Sequence, residues 1–194
     1  MKQSQLIVPD KAQTKPTLQP TSSLKNIANV IKTFLSNTRC QITKKMAAFL
    51  IKLLGNKPVT LTLLYCGHLH GWKWKDFHSR CDSKGRTVSL FQIQQGDCIG
   101  GYTSQHWESV KGGKWKADSS AFLFNLTRSC HFPSKANGND IYCHRDYGPH
   151  FNGGKGAELV AYGQPFNGKD KCLSRTNRPG YNIPLIDGNN QLTN

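Results

Sequence analysis

Thr87-Val88-Ser89-Leu90-Phe91-Gln92-Ile93 and Cys98-Ile99-Gly100-Gly101-Tyr102 decide the fold class. Both runs are short and rich in β-branched and aromatic residues, and Gly96 and Asp97 stand between them, which is the composition of strands separated by a turn. The same reading extends outward to Val59–Tyr65 before them and to Ala121–Leu126 after them. Between the first two strands lies Trp74–Cys81, where Trp74, Phe77, His78 and Cys81 share one helical face and Asp76 sits near the start, predicting one helix that crosses between strands. From Pro133 onward Asn, Gly, Lys and Pro dominate. Only Asp140–Cys143 and Glu158–Tyr162 read as strands there, so the C-terminal third is expected to be loop-rich.

Upstream of Pro58 the character differs. Residues 1–21 combine Lys, Gln, Thr and Ser with Pro9, Pro16 and Pro20 and few apolar side chains, which predicts a disordered tail. From Ser22 or Ser23, Leu24, Ile27, Val30, Ile31, Phe34 and Leu35 recur at helical spacing. A second set at Ile42, Met46, Phe49, Leu50, Leu53 and Leu54 ends at Gly55, with Pro58 beyond. Residues 22–57 thus read as a lead segment of two amphipathic helices, and 58–194 as the globular domain. The favoured reading packs Ile42–Leu54 on that domain.

The chain has 194 residues and a formal charge of +15. Residues 1–60 hold ten basic residues against the single acid Asp10, so most of the surplus belongs to the lead segment. Such a segment suits an anionic membrane surface or mitochondrial import, although Arg39 is its only arginine and import sequences are Arg-rich. Nucleic-acid binding would rest on charge alone. Seven cysteines (Cys40, Cys66, Cys81, Cys98, Cys130, Cys143, Cys172) form no C-x-x-C pair, and an odd count without an apolar signal sequence points to an intracellular, reducing compartment, with the cytoplasm favoured. No apolar run approaches the roughly 20 residues of a membrane-spanning helix.

Candidate chemistry is thin. Histidines at 68, 70, 78, 106, 131, 144 and 150 include the pairs Cys130-His131 and Cys143-His144, but zinc sites use tighter ligand spacing, so no metal is expected. Cys81 and His78 lie on one helical turn, a weak signal for a nucleophile and base. Gly153-Gly154-Lys155-Gly156 lacks the spacing of a phosphate-binding loop, and no cofactor is expected. Trp72, Trp74, Trp107 and Trp115 stand beside lysines; core packing is favoured for Trp72 and Trp107 over a stacking platform for bases.

Five motifs in order resemble a TLDc domain. Leu63-Leu64-Tyr65 with Gly71-Trp72, then Asp76-Phe77-His78-Ser79-Arg80-Cys81-Asp82-Ser83-Lys84-Gly85, open the register. Gly100-Gly101-Tyr102-Thr103-Ser104 with Trp107 follows, and then Asp118-Ser119-Ser120-Ala121-Phe122-Leu123-Phe124. Ile141-Tyr142-Cys143-His144, with Tyr147-Gly148-Pro149 and Phe151-Asn152-Gly153-Gly154, completes it. The resemblance implies an α+β fold, a mainly antiparallel two-layer β-sandwich flanked by helices. It implies no catalytic residue. It also implies a non-enzymatic interaction module associated with resistance to oxidative damage and with binding and regulating the vacuolar-type proton-pumping ATPase. TLDc domains usually close with a strand of alternating apolar and acidic residues, and none follows Tyr162 here. The expectation is a truncated domain with a sheet edge or one face of its core uncovered.

Overall fold

A computed structural model describes residues 2–7, 41–56, 60–93, 96–152, 157–162, 172–173, 181, 183, 185–186, 189–190 and 192. In chain order the elements are β1 (Lys2–Ile7), α1 (Lys44–Leu53), β2 (Thr62–Cys66), α2 (Gly67–His70) and α3 (Trp74–Cys81). Then come β3 (Thr87–Gln92), β4 (Cys98–Thr103), β5 (Lys114–Lys116), β6 (Phe122–Asn125), β7 (Cys130–Pro133) and β8 (Ile141–Cys143). The last are β9 (Tyr147–Asn152), β10 (Ala157–Tyr162), β11 (Cys172–Leu173), β12 (Leu185–Ile186) and β13 (Asn189–Asn190).

Two antiparallel sheets form the expected α+β sandwich. The first runs β2-β1-β3-β4-β6-β7 and the second β11-β10-β9-β8-β5, while β12 and β13 pair only with each other. Alternation along each strand sorts side chains into two cores. Phe91, Ile99 and Leu123 of the first sheet meet Ile141, Phe151 and Leu159 of the second, and α3 adds Phe77 and Cys81 to this layer. Val88, Leu90, Phe122 and Phe124 point the other way, and α1 covers them with Ala47, Leu50 and Ile51. Burying an aliphatic side chain of this size contributes about 1.5–3 kcal/mol, so α1 belongs to the stable body of the protein and its apolar face is not free for a membrane.

Local signals explain the helix ends. Thr43 Oγ1 accepts the Met46 amide at 3.2 Å at the start of α1, and Gly55, at φ +94°, takes the chain out of it. Asp76 Oδ2 accepts the Lys73 amide at 3.1 Å at the start of α3. No described helix is long and apolar enough to cross a membrane.

Three expectations change. Residues 2–7 are not a disordered tail but an interior strand, because their backbone groups pair on both sides; a polar composition does not prevent a ladder that needs only the main chain. The stretch after Pro133 holds a six-residue strand, β9, despite Pro149. There β9 spends four residues, Tyr147 to His150, where β10 spends three, Tyr162 to Val160. Such a bulge leaves a residue without a ladder bond and so tolerates a proline, which has no N–H. Third, the chain beyond Tyr162 supplies Tyr181, Ile183 and Leu192 to the inter-sheet core. The Leu192 carbonyl is held by Asn125 Nδ2 at 3.0 Å. The helix expected over Leu24–Leu35, the rest of the tail and the pair Gly153 and Gly154 lie outside the described residues.

Candidate functional site

Helical spacing in α3 sends Phe77 and Cys81 into the inter-sheet core and leaves His78 beside the turn between β8 and β9. The Phe77 ring meets Tyr65 and Trp107 edge-on. His78 is 6% exposed. Its Nδ1 lies 2.7 Å from Asp82 Oδ1, and its Nε2 lies 2.9 Å from the Tyr147 carbonyl and 3.1 Å from that of His144. Every partner is an oxygen, so the ring bridges the Asp82 carboxylate and two main-chain carbonyls. Asp82 Oδ2 accepts Ser109 Oγ at 2.8 Å. One His–Asp pair therefore fastens two loops, around residues 109 and 144–147, to the end of α3.

On the loops so held sits a cluster of rings. Tyr142 lies 4.3 Å from Trp115, 5.8 Å from His144 and 5.3 Å from His150 between ring centroids, and Tyr147 stacks on His144 at 4.7 Å. The bulge in β9 is what brings Tyr147 and His150 within 5.7 Å of each other. Tyr142 Oη donates to the Gly112 carbonyl at 3.2 Å. A Cβ on Gly113, at φ +81°, would collide with the Tyr142 hydroxyl, so glycine is required in this turn.

The cluster is buried at its base and open at its top. His150 is 7% exposed and neither ring nitrogen has a hydrogen-bond partner among the described residues. Burial, with His144 nearby, pushes its pKa down to about 4, so at neutral pH it is an uncharged ring. Trp115 is 40% exposed; among the described residues only it and Leu69 are exposed large apolar side chains. Lys111, Lys114 and Arg145 are exposed in the same or neighbouring segments, with Lys114 Nζ 3.7 Å from Glu108 Oε2 and Arg145 Nε 3.6 Å from Asp146 Oδ2. Lys116 instead turns inward, its Nζ 2.6 Å from Glu108 Oε1 and 2.5 Å from the His106 carbonyl. The Lys116 hydrogen bond holds the Glu108 carboxyl below its usual range. With Glu108 facing Lys116 and Lys114, and Asp146 facing Arg145, these segments keep only a small basic surplus.

The remaining motif residues are spent on the scaffold. Asp118, 5% exposed, accepts from Thr103 Oγ1 (2.6 Å), Ser104 N (2.7 Å), Ser104 Oγ (2.9 Å), Ser120 Oγ (2.6 Å) and Ser120 N (3.1 Å). Burial alone would raise its pKa, but the bonds from Ser120, Thr103 and Ser104 outweigh it and hold the carboxyl low. Trp107 donates from Nε1 to Thr87 Oγ1 at 2.9 Å. Tyr102 stacks on Phe122 at 5.0 Å, with Phe124 beside it, under α1. A Cβ on Gly100 would strike Phe124, and one on Gly101 would strike Phe151. Gly85 turns the chain at φ +79°, and Gly148 is buried within the β9 bulge.

The pairing of Cys81 with His78 is not formed. His78 is committed to Asp82 and two carbonyls, and burial pushes the Cys81 thiol well up, away from thiolate. Burial raises Cys143 likewise. Among the described residues no three His, Cys, Asp or Glu side chains gather as metal ligands. The structure thus joins His78, Tyr142, His144 and Tyr147 of the sequence motifs to Trp115 and His150, which no motif picked out.

A family model for the TLDc domain matches residues 35–172. The chain belongs to the TLDc family. The TLDc match takes in α1 and everything from β2 through β10, and leaves β1 outside it. Over 92 residues the TLDc chain is 32% identical to MTOR-associated protein MEAK7 of Danio rerio, an alignment covering 47% of this chain and 20% of that relative. The chain thus matches about a fifth of that relative's length.

Proposed function

We propose that this chain is a non-catalytic TLDc interaction module that docks a protein partner through the surface centred on Trp115. One observation carries the reading: an exposed tryptophan on the edge strand β5, its ring 4.3 Å from that of Tyr142, beside loops fastened by the His78–Asp82 pair. Tryptophan is among the commonest anchors of protein interfaces, and a pre-organised loop loses little entropy on binding. The small basic surplus favours an acidic patch on the partner. The partner we infer from the family resemblance is a subunit of the vacuolar-type proton-pumping ATPase, met in the cytoplasm. The name of the Danio rerio relative, MTOR-associated protein, supports a second candidate, an mTOR-containing assembly. Resistance to oxidants would then follow from the partner, since the thiols of Cys81 and Cys143 are pushed away from reactivity.

Affinity purification of the tagged chain from its own cells, beside Trp115→Ala, tests this. Pump subunits are expected with the parent chain and about 30-fold less of them with Trp115→Ala, the loss of roughly 2 kcal/mol typical of an interface anchor. Recovery of mTOR subunits with the same Trp115 dependence would move the reading to the second candidate. Equal recovery by both chains would remove Trp115 from the docking surface.

A further inference from the structure

Trp72-Lys73-Trp74-Lys75 belongs to the tight connection that leads from β2 through α2 into α3. That connection is fixed from within. Tyr65 Oη donates to the Gly71 carbonyl at 2.7 Å, the Cys66 amide to His70 Nδ1 at 3.0 Å, and the Gly71 amide to the Gly67 carbonyl at 3.0 Å. A Cβ on Gly67 would strike the Trp72 ring, so the indole packs directly on the backbone of α2. With Gly67 and His70 turned to these contacts, the helical turn leaves His68 and Leu69 facing water. Leu69 is 59% exposed, more than any other large apolar side chain among the described residues. Trp72 and Trp74 are half-buried.

Charge gathers around this apolar point. Lys73, Lys75, Arg80 and Lys84 are exposed on the same connection and along α3, and none of the four forms an ion pair among the described residues. The two acids of the segment are already bonded: Asp76 Oδ2 accepts the Lys73 amide, and Asp82 is shared between His78 and Ser109. Lys114 and Arg145, near Trp115, each face a carboxylate instead.

The chemistry of the patch selects its occupant. Protein interfaces are depleted in lysine, and leucine is seldom their anchor. Nucleic-acid bases need an exposed ring to stack on, whereas the most exposed side chain here is aliphatic and the Trp72 ring is taken up by α2. Leucine with tryptophan, beside lysines whose long stems carry the charge outward, is the composition of the boundary between lipid chains and headgroups. We propose that the α2–α3 connection is a docking surface for an anionic lipid bilayer. Leu69 enters the outer edge of the acyl layer, Trp72 and Trp74 sit at headgroup level, Lys73 and Lys75 meet the lipid anions, and Arg80 and Lys84 add to the attraction. A connection that is already rigid loses little entropy on docking. This surface goes beyond the protein-docking reading and does not rest on it, because it uses α2 and α3 and not β5.

The test is co-sedimentation of the full chain with vesicles of phosphatidylcholine containing about a third phosphatidylserine, beside vesicles of phosphatidylcholine alone. The chain is expected to bind the anionic vesicles, and less so as salt is raised. Lys73→Gln with Lys75→Gln is expected to lower partitioning about 25-fold, roughly fivefold for each lysine. Leu69→Ser is expected to lower it about fivefold. All three side chains are exposed, so both variants are expected to melt with the parent chain. Trp115→Ala is expected to bind vesicles as the parent does, which separates this surface from the protein-docking one. Residues 1–60 are basic as well, so the difference between parent and variants decides. Vesicle binding that is unchanged in both variants, equal on the two kinds of vesicle, absent altogether, or lost in Trp115→Ala would each overturn the proposal. So would binding of a single-stranded oligonucleotide, and not of vesicles, that depends on Lys73 and Lys75.

Discussion

The outer faces of the two sheets start from the same alternating pattern and end differently. On the first sheet the outward row is Val88, Leu90 and Phe124, and α1 lies over it with Ala47, Leu50 and Ile51. On the second sheet the outward positions carry Trp115, Tyr142 and His150, and no described helix packs over them. Aliphatic and phenyl side chains have nothing to offer water, so the chain must cover them itself. Indole, phenol and imidazole rings combine an apolar body with a polar edge and can stand at a wet boundary. The first face serves stability; the second is available for recognition.

Breaking the covered face should have the largest effect. Leu50 is fully buried, and Leu50→Ala is expected to cost about 2–5 kcal/mol and to lower the melting temperature by roughly 10 °C in a thermal scan. A change below about 1 kcal/mol would mean that α1 merely rests on the sheet. Second in size is the buried foot of the open face. An unfolded histidine titrates near 6.5 and His150 in its native site near 4. Between those values unfolding takes up a proton that the native state refuses, so stability falls as pH drops, by up to about 1.4 kcal/mol per pH unit. His150→Leu is expected to reduce this slope in denaturant titrations between the two values, leaving the smaller part that His131 and His70, lowered by burial likewise, contribute. The low-held carboxyl of Asp118 adds its own loss only below the ordinary carboxylate range, so the two do not overlap. The smallest effect belongs to the top of the open face: Trp115→Ala should change unfolding free energy by less than about 1 kcal/mol. A larger loss would make the indole a structural residue and weaken the contrast between the faces.

The covered face was largely legible in the sequence and the open one was not. Leu50, Leu53 and Leu54 repeat at helical spacing up to Gly55, and β3, β4 and β6 announce themselves in β-branched and aromatic runs, because local pattern and tertiary burial agree there. Strand β9 was hidden by Gly148 and Pro149, whose acceptance depends on a bulge that only the pairing with β10 creates. Strand β1 was hidden because its position depends on two neighbours far along the chain rather than on its own polar sequence. The ring cluster draws on α3, β5, β8 and β9, and no spacing rule links His78 to Tyr147 or Trp115 to His150. The motif residues His78, Tyr142 and Tyr147 pointed to the right loops, whereas the exposure of Trp115 followed only from β5 lying at the edge of its sheet.

Gly100 and Gly101 have a mechanical consequence. With the Phe124 ring against one face of the strand and the Phe151 ring against the other, the wall between the two cores is here a bare peptide. Side chains elsewhere in a sheet act as compliant spacers that absorb small displacements by changing rotamer. At this point there is no spacer, and a shift of the packing beneath α1 reaches the strand that carries His150 through backbone alone.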